Sequence, residues 1–185
     1  MILILMGKSA AGKDRLQSEL EKNKFTRIVS ATTRPKRAKE IEGKDYFFVT
    51  DERFTEMEKS GKFVESRTYN TFQDGKPAVW HYAAPAVDYN ASDWVIVLDA
   101  KGADDYIRRY GRDNCFTVLV EVSDEIRKKR AEKRGSFDLQ EWNRRLVDDN
   151  KVFASVNTDL KVNNEGEISE TINTILNAVA ERRLR

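Results

Sequence analysis

The chain has 185 residues, of which 39% are hydrophobic and 35% charged, and its 33 Lys and Arg stand against 31 Asp and Glu for a net charge of +2. Such a composition suits one α/β domain, or one core with small inserted lobes, and holds too little apolar material for a membrane protein. One Cys and one His exclude an internal disulfide, a Cys-rich zinc site and a multi-histidine metal cluster. The near balance of charge argues against a dedicated nucleic-acid coat, and the cysteine usage fits a reducing cytoplasm.

Ile2-Leu3-Ile4-Leu5 is a continuous apolar run, which predicts a strand buried on both faces of a parallel sheet. The whole run 1–6 is far shorter than the roughly 20 residues a membrane helix needs. It also lacks a basic segment before it, so it does not read as a secretory signal. Gly7 to Gly12 is small and flexible, and Leu16 and Leu20 then recur at helical spacing. Residues 30–90 break the strand–helix alternation. They hold all three prolines (Pro35, Pro77, Pro85) and the turn signals Glu42-Gly43 and Asp74-Gly75. Tyr46-Phe47-Phe48-Val49 predicts a strand, Asp51 a cap for a short helix through Phe54 and Met57, and 64–72 with 77–82 a hairpin around Asp74-Gly75. This stretch reads as an inserted lobe of short strands.

Alternation then resumes. Buried strands are expected over 94–98, 116–122 and, more weakly, 159–162. Helices are expected around Tyr106, Ile107 and Tyr110, over 124–134 and 139–153, and along the stripe Ile168, Ile172, Ile175, Leu176 and Val179. The tail 180–185 is expected to fray. Strands alternating with helices imply a parallel sheet. Trp80, Trp94 and Trp142 are assigned to packing, His81 to no catalytic role, and Cys115 to an inert position.

Gly7-Lys8-Ser9-Ala10-Ala11-Gly12-Lys13 fits G-x-x-x-x-G-K between a strand and a helix. Small residues let backbone N–H groups curl around phosphate oxygens, and the helix that follows points its positive dipole end at the anion. Lys13 would reach the β- and γ-phosphates as a point charge. The motif continues with Ser or Thr, whose hydroxyl binds magnesium, and here that position is Asp14. Its carboxylate could ligate Mg²⁺ as a hard oxygen donor, repel the triphosphate, or serve only as a favourable first-turn residue.

Ser30-Ala31-Thr32-Thr33-Arg34-Pro35-Lys36-Arg37 followed by Gly43-Lys44-Asp45-Tyr46-Phe47-Phe48 resembles the guanylate kinase family, with its S-x-T-T-R-x-x-R and G-x-D-Y-x-F motifs in this order. The similarity continues through Lys62-Phe63-Val64-Glu65, Leu98-Asp99, 129–135 and Asn143-Arg144-Arg145-Leu146, nearly the whole chain. The resemblance implies an α/β P-loop nucleoside monophosphate kinase with a three-layer core around a parallel sheet (1–29, 91–127 and 147–185). A monophosphate-binding lobe (30–90) and a helical lid (128–146) complete it. ATP and a purine nucleoside monophosphate are the implied partners, Mg²⁺ the implied cofactor, and the cytoplasm the implied location. No membrane or nucleic-acid polymer is implied, and the oligomeric state is open.

Carried over by position, Gly7, Lys8, Ser9, Ala10, Ala11, Gly12, Lys13 and Asp14 would bind ATP, with Asn163 beside the donor base and Asp14 as the candidate metal ligand. Arg34 and Arg37 would clamp the acceptor phosphate through planar, charge-assisted forks, with the Tyr46 hydroxyl on the same group. Ser30 and Glu65 would read the guanine edge, Tyr82 would line the acceptor site, and Asp99 would lie near acceptor and metal. Lys13, Arg34 and the lid arginines Arg130, Arg134 and Arg145 would stabilise the transferring phosphoryl group.

Departures from the family pattern accompany these matches. Tyr82-Ala83-Ala84 lacks the hydroxyl that helps read guanine O6, the second acid after Asp99 is missing, and Val162-Asn163-Asn164 replaces an Asn-Asp pair. Deoxynucleotides or a modified purine monophosphate therefore stay open as acceptors. A non-catalytic binding module of the same fold is the alternative reading, and a basic-patch nucleic-acid binder a third.

Overall fold

The computed structural model describes residues 1–73, 76–133 and 137–184. The expected turn at Asp74-Gly75 lies outside the described residues. The chain divides into two compact units, one of Met1–Arg27 with Ser92–Arg185 and one of Ile28–Ala91.

The larger unit is built on a five-stranded parallel sheet. β1 (Ile2–Met6) lies at its centre, between β7 (Trp94–Val97) and β8 (Cys115–Glu121), with β2 (Thr26–Arg27) and β9 (Leu160–Asn163) at the edges. All five residues of β1 are buried, as the unbroken apolar run predicts. Period-two alternation divides them between the faces. Leu3 and Leu5 join Val95, Val118 and Val120 in one cluster with Leu16 and Leu20 of α1 (Lys13–Lys22) and Ile175 and Val179 of α6 (Ile168–Arg183). Ile2, Ile4 and Met6 turn to the other face, on which α3 (Ala100–Tyr110) packs with Ala103 and Tyr106 buried. Truncating one such leucine to alanine removes about 2–5 kcal/mol. Helix, sheet and helix form three layers. Two further helices, α4 (Asp124–Glu132) and α5 (Leu139–Val152), complete this unit.

Two expectations are corrected here. The helix does not stop at Val179, as the expected fraying over 180–185 would require. α6 continues to Arg183, whose guanidinium bonds Asp93 at 2.5 Å, while Arg182 pairs with Asp113 at 3.7 Å. Cys115 does not precede a strand but opens β8, with no exposed surface, and burial pushes its thiol up to about 11.

The smaller unit holds β3 (Ala31–Thr32), β4 (Phe47–Phe48), β5 (Phe63–Gln73) and β6 (Lys76–Pro85), in the sheet order β4-β3-β6-β5. β5 and β6 are antiparallel and run 11 and 10 residues, past the bounds the alternation suggested. α2 (Asp51–Lys59) covers them with Phe54, whose ring lies 5.3 Å from those of Phe63 and His81. Its cap is Thr50 rather than Asp51. The Thr50 hydroxyl accepts from the Arg53 amide at 3.2 Å, and Asp51 sits one residue inside, where its charge suits the helix dipole. Among the described residues, no helix is long and apolar enough to cross a membrane.

The turn out of β1 constrains the larger unit most tightly. Gly7 has φ of 147°, and a Cβ there would meet the Val120 carbonyl oxygen at 2.5 Å. Gly7→Ala should therefore cost on the order of 2–4 kcal/mol from strain and overpacking together, read as a lower midpoint in urea unfolding; an unchanged midpoint would contradict the tight approach to Val120.

Candidate active site

Residues 7–12 leave the C-terminal end of β1 and enter α1 through an unusual backbone. Gly12, at the helix N-cap, has φ of 94°, and Ala10 sits in the left-handed region at 61°. A side chain at Gly12 would strike Asn164 Nδ2 at 2.7 Å. This conformation is held by donors aimed at the loop's carbonyl oxygens. Lys13 Nζ donates to the Gly7 and Lys8 carbonyls at 2.6 and 3.0 Å. Arg127 Nη1 donates to Ser9 O at 2.9 Å. Ala11 O accepts from Arg130 Nη1 at 3.2 Å and from Asn164 Nδ2 at 2.8 Å. In a trans peptide the C=O and N–H point opposite ways. Pinning the carbonyls of 7, 9 and 11 thus turns the amides of Lys8, Ala10 and Gly12 to the other side, while the Ser9 amide, opposite the Lys8 carbonyl, is taken by Asp149 at 2.8 Å. A ring of N–H donors at the start of a helix is an anion cradle.

The other residues expected around this loop are placed unevenly. Asp14 is exposed in the first turn of α1, and its carboxylate makes no hydrogen bond or ion pair among the described residues. Arg130 reaches the loop and also donates to Asn164 O at 2.7 Å. Arg145 does not reach the loop; it is tied to Glu141 of its own helix at 2.5 Å. Arg134 lies outside the described residues. Asn163 is exposed and caps its own turn, its side chain accepting from Glu165 N at 2.8 Å, whereas the buried Asn164 is the one that touches the loop. Asp99 caps α3, accepting from the Gly102 amide at 2.7 Å.

Sequence reasoning missed two residues here. Arg127 has no exposed surface, and it pairs with Asp124 at 2.6 Å and with Asp149 at 3.0 Å while stacking over Trp142 at 5.4 Å. Asp149 in turn accepts from Ser9 N at 2.8 Å and Ser9 Oγ at 3.3 Å. α4 is charged on all sides, so no apolar stripe marks Arg127 as the face turned inward.

The smaller unit carries a second basic cluster. Arg34 is only 3% exposed and lies over the rings of Tyr46 and Phe48, 5.5 and 5.7 Å from their centres. Its fork is filled by Glu40, which accepts at 2.7 and 3.1 Å. Glu40 also accepts from the Arg37 amide at 2.8 Å and pairs with its guanidinium at 3.6 Å. A carboxylate thus sits among the donors that the sequence assigned to a phosphate. Tyr46 meets Tyr82 edge-on at 5.9 Å, and the Ser30 carbonyl accepts from Phe47 N at 2.9 Å. Glu65 is buried on β5, with Arg67 Nε 3.8 Å away.

Burial opposes ionisation of Glu40, but hydrogen bonds from Arg34 and the Arg37 amide outweigh it and hold the carboxyl below its usual 4.5. A depressed carboxyl contributes stability that is present above its unfolded value and lost as pH falls through the folded one. Unfolding followed in urea from pH 6 to pH 3 should show a shallower acid loss in Glu40→Gln than in the unsubstituted chain. Equal slopes would mean that the pair contributes nothing.

A family model for guanylate kinase matches residues 1–182. The guanylate kinase of Wolbachia pipientis wMel is 30% identical over 193 residues, which span 100% of this chain and 92% of that protein. The guanylate kinase of Wolbachia sp. subsp. Brugia malayi is 30% identical over 195 residues, spanning 100% and 94%. The crystal structure of guanylate kinase from Anaplasma phagocytophilum superposes with a TM-score of 0.68 at 24% identity, covering 100% of this chain and 87% of that one, a likeness of fold. A match that runs nearly end to end, on a chain whose first strand opens into an anion cradle, places this protein in the guanylate kinase family of nucleoside monophosphate kinases.

Proposed function

We propose that this nucleoside monophosphate kinase transfers the γ-phosphoryl group of ATP to a purine nucleoside monophosphate, GMP or dGMP. The observation that carries the donor half is the loop itself, where the carbonyls of Gly7, Ser9 and Ala11 are bonded away and the amides of Lys8, Ala10 and Gly12 are turned outward beside Lys13. An oxygen of the acceptor phosphate attacks the γ-phosphorus, the bond to the ADP oxygen breaks, and no protein nucleophile is needed. Catalysis is then positioning and charge stabilisation, by the loop amides, Lys13 and Arg130, with Arg134 and Arg145 contributed by a lid over 128–146. Lid closure would exclude water and suppress ATP hydrolysis.

For the acceptor, Arg37 and Tyr46 would hold the phosphate, and Arg34 would join them when that phosphate takes over the fork now filled by Glu40. The buried Glu65 carboxylate supports a guanine reading, because guanine offers it N1–H and the 2-amino group together. Ser30, Tyr82 and Asp99 complete the proposed acceptor contacts, and Asn163 or its neighbour Asn164 the donor side.

No group of three acidic, His or Cys side chains able to hold a metal exists among the described residues. The open Asp14 carboxylate beside Lys13 nevertheless fits Mg²⁺, which commonly takes one or two protein carboxylates together with substrate phosphates. Asp14 would hold such an ion, which would supply charge neutralisation at the phosphates. Retention of Lys13 and of a docked Arg130 weighs against a non-catalytic binding module.

Coupled ADP release against a panel of purine and pyrimidine monophosphates, with Mg²⁺ and with Mn²⁺, tests the reading. GMP or dGMP should give the highest rate, and no acceleration by any of them would sink it. Lys13→Ala and Arg130→Ala should each lose about 10²–10³-fold in kcat with the fold intact by circular dichroism. Arg34→Lys keeps the charge but not the fork, so the KM for the monophosphate should rise about tenfold or more, while the KM for ATP stays put.

A further inference from the structure

We infer that Arg127 and Asp149 are positioning residues for the phosphate loop, an inference that rests on reading residues 7–13 as that loop. Together they take every polar group of Ser9. Asp149 Oδ2 accepts from its amide at 2.8 Å and Oδ1 from its hydroxyl at 3.3 Å, while Arg127 Nη1 donates to its carbonyl at 2.9 Å. The pair is itself joined at 3.0 Å. Two consecutive peptide planes, 8–9 and 9–10, are therefore set from outside the loop. The first is fixed by Lys13 on Lys8 O and Asp149 on Ser9 N, the second by Arg127 on Ser9 O. Fixing the second plane aims the Ala10 amide, at the one loop residue that must hold a left-handed conformation without being glycine.

The arrangement is costly for stability alone. Arg127 has no exposed surface, Asp149 is 13% exposed, and Nε of Arg127 is buried without a hydrogen-bond partner. A well-packed apolar pair commonly replaces a buried ion pair with no loss of stability. Neighbouring contacts extend the same link, since Lys8 Nζ donates to Asn150 Oδ1 at 2.6 Å and Arg127 Nη2 to Asp124 at 2.6 Å. α4 and α5, whose inner parts make up the two ends of the lid segment proposed above, are thus bonded to the loop at Ser9. The loop would reach its anion-ready form before nucleotide arrives, which lowers the ordering cost of binding.

Steady-state kinetics and Mg·ATP titration of Asp149→Ala, Asp149→Asn and the double variant Arg127→Met/Asp149→Leu test this. Asp149→Ala should raise the KM and Kd for ATP about tenfold or more, with the monophosphate KM changed by less than about twofold. Asp149→Asn keeps an acceptor for the Ser9 amide and should recover part of the loss. The double variant, with an apolar pair in place of the charges, should melt near the unsubstituted protein yet still bind ATP weakly. Unchanged or tighter ATP binding in the double variant overturns the inference, as does an equal rise in both KM values. Hydrogen exchange gives a readout free of nucleotide: a peptide covering residues 7–12 should exchange faster in Asp149→Asn and Asp149→Ala, while 2–6 and 115–121 do not change. Equal exchange at 7–12 also overturns it. Failure of the unsubstituted protein to bind Mg·ATP would instead remove the kinase reading and leave the exchange result to judge the pair.

Discussion

The structure of the larger unit depends on one constraint: the carbonyl oxygens of Gly7, Lys8, Ser9 and Ala11, between β1 and α1, find donors on the protein side. A six-residue turn out of a fully buried strand has no ladder or helix to absorb its polar groups, and buried carbonyls without partners are costly. Here the donors come from four places in the chain: Lys13 at the head of α1, Arg127 and Arg130 one turn apart on α4, and Asn164 just past β9. The central position of β1, the two arginines that α4 extends to the loop and the end of β9 all serve this turn. Because a peptide cannot present its N–H and C=O to the same side, satisfying the carbonyls of Gly7, Ser9 and Ala11 turns the amides of Lys8, Ala10 and Gly12 away from those donors.

That logic also decides what could be read from the sequence. The apolar run Ile2-Leu3-Ile4-Leu5, the glycines at 7 and 12 and the Leu16/Leu20 spacing are local signals, and they led directly to β1, the loop and α1. The second cluster was marked by resemblance, since residues 30–37 and 43–48 match two guanylate kinase motifs in order, and no local physical pattern singled it out. Pairings between distant segments were not legible. Nothing near Arg34 reveals that Glu40 fills its fork, nothing in a helix charged on all faces singles out Arg127, and Asp149 lies 22 residues further on another helix. Periodicity reports burial of apolar groups, whereas a buried charge is placed by a partner that the local pattern does not contain. The same limit explains the corrections at Thr50, where a hydroxyl one residue earlier outcompetes an acid for the cap, and at the C-terminal helix, whose last turn is held by Asp93 and Asp113.

The net charge of +2 now has a structural meaning. Several basic residues of the two clusters meet carboxylates in direct contact, while Lys13 and Arg130 bond carbonyl oxygens. Arg34 faces Glu40, Arg127 faces Asp124 and Asp149, and Arg145 faces Glu141. Such pairing keeps guanidinium groups oriented and lowers the field that would draw in long polyanions.

The lone thiol offers a chemical clock. Cys115 opens a central strand, is wholly enclosed, and has its ionisation pushed far above neutrality by that enclosure. Alkylating reagents attack the thiolate of an accessible sulfur, and the folded chain supplies neither condition. Labelling at this single atom can proceed only through molecules whose β1–β8 pairing has opened, since Cys115 lies in register with Ile2. The rate of its modification therefore counts openings of the sheet that carries the loop, one sulfur per chain, with no probe added to the protein.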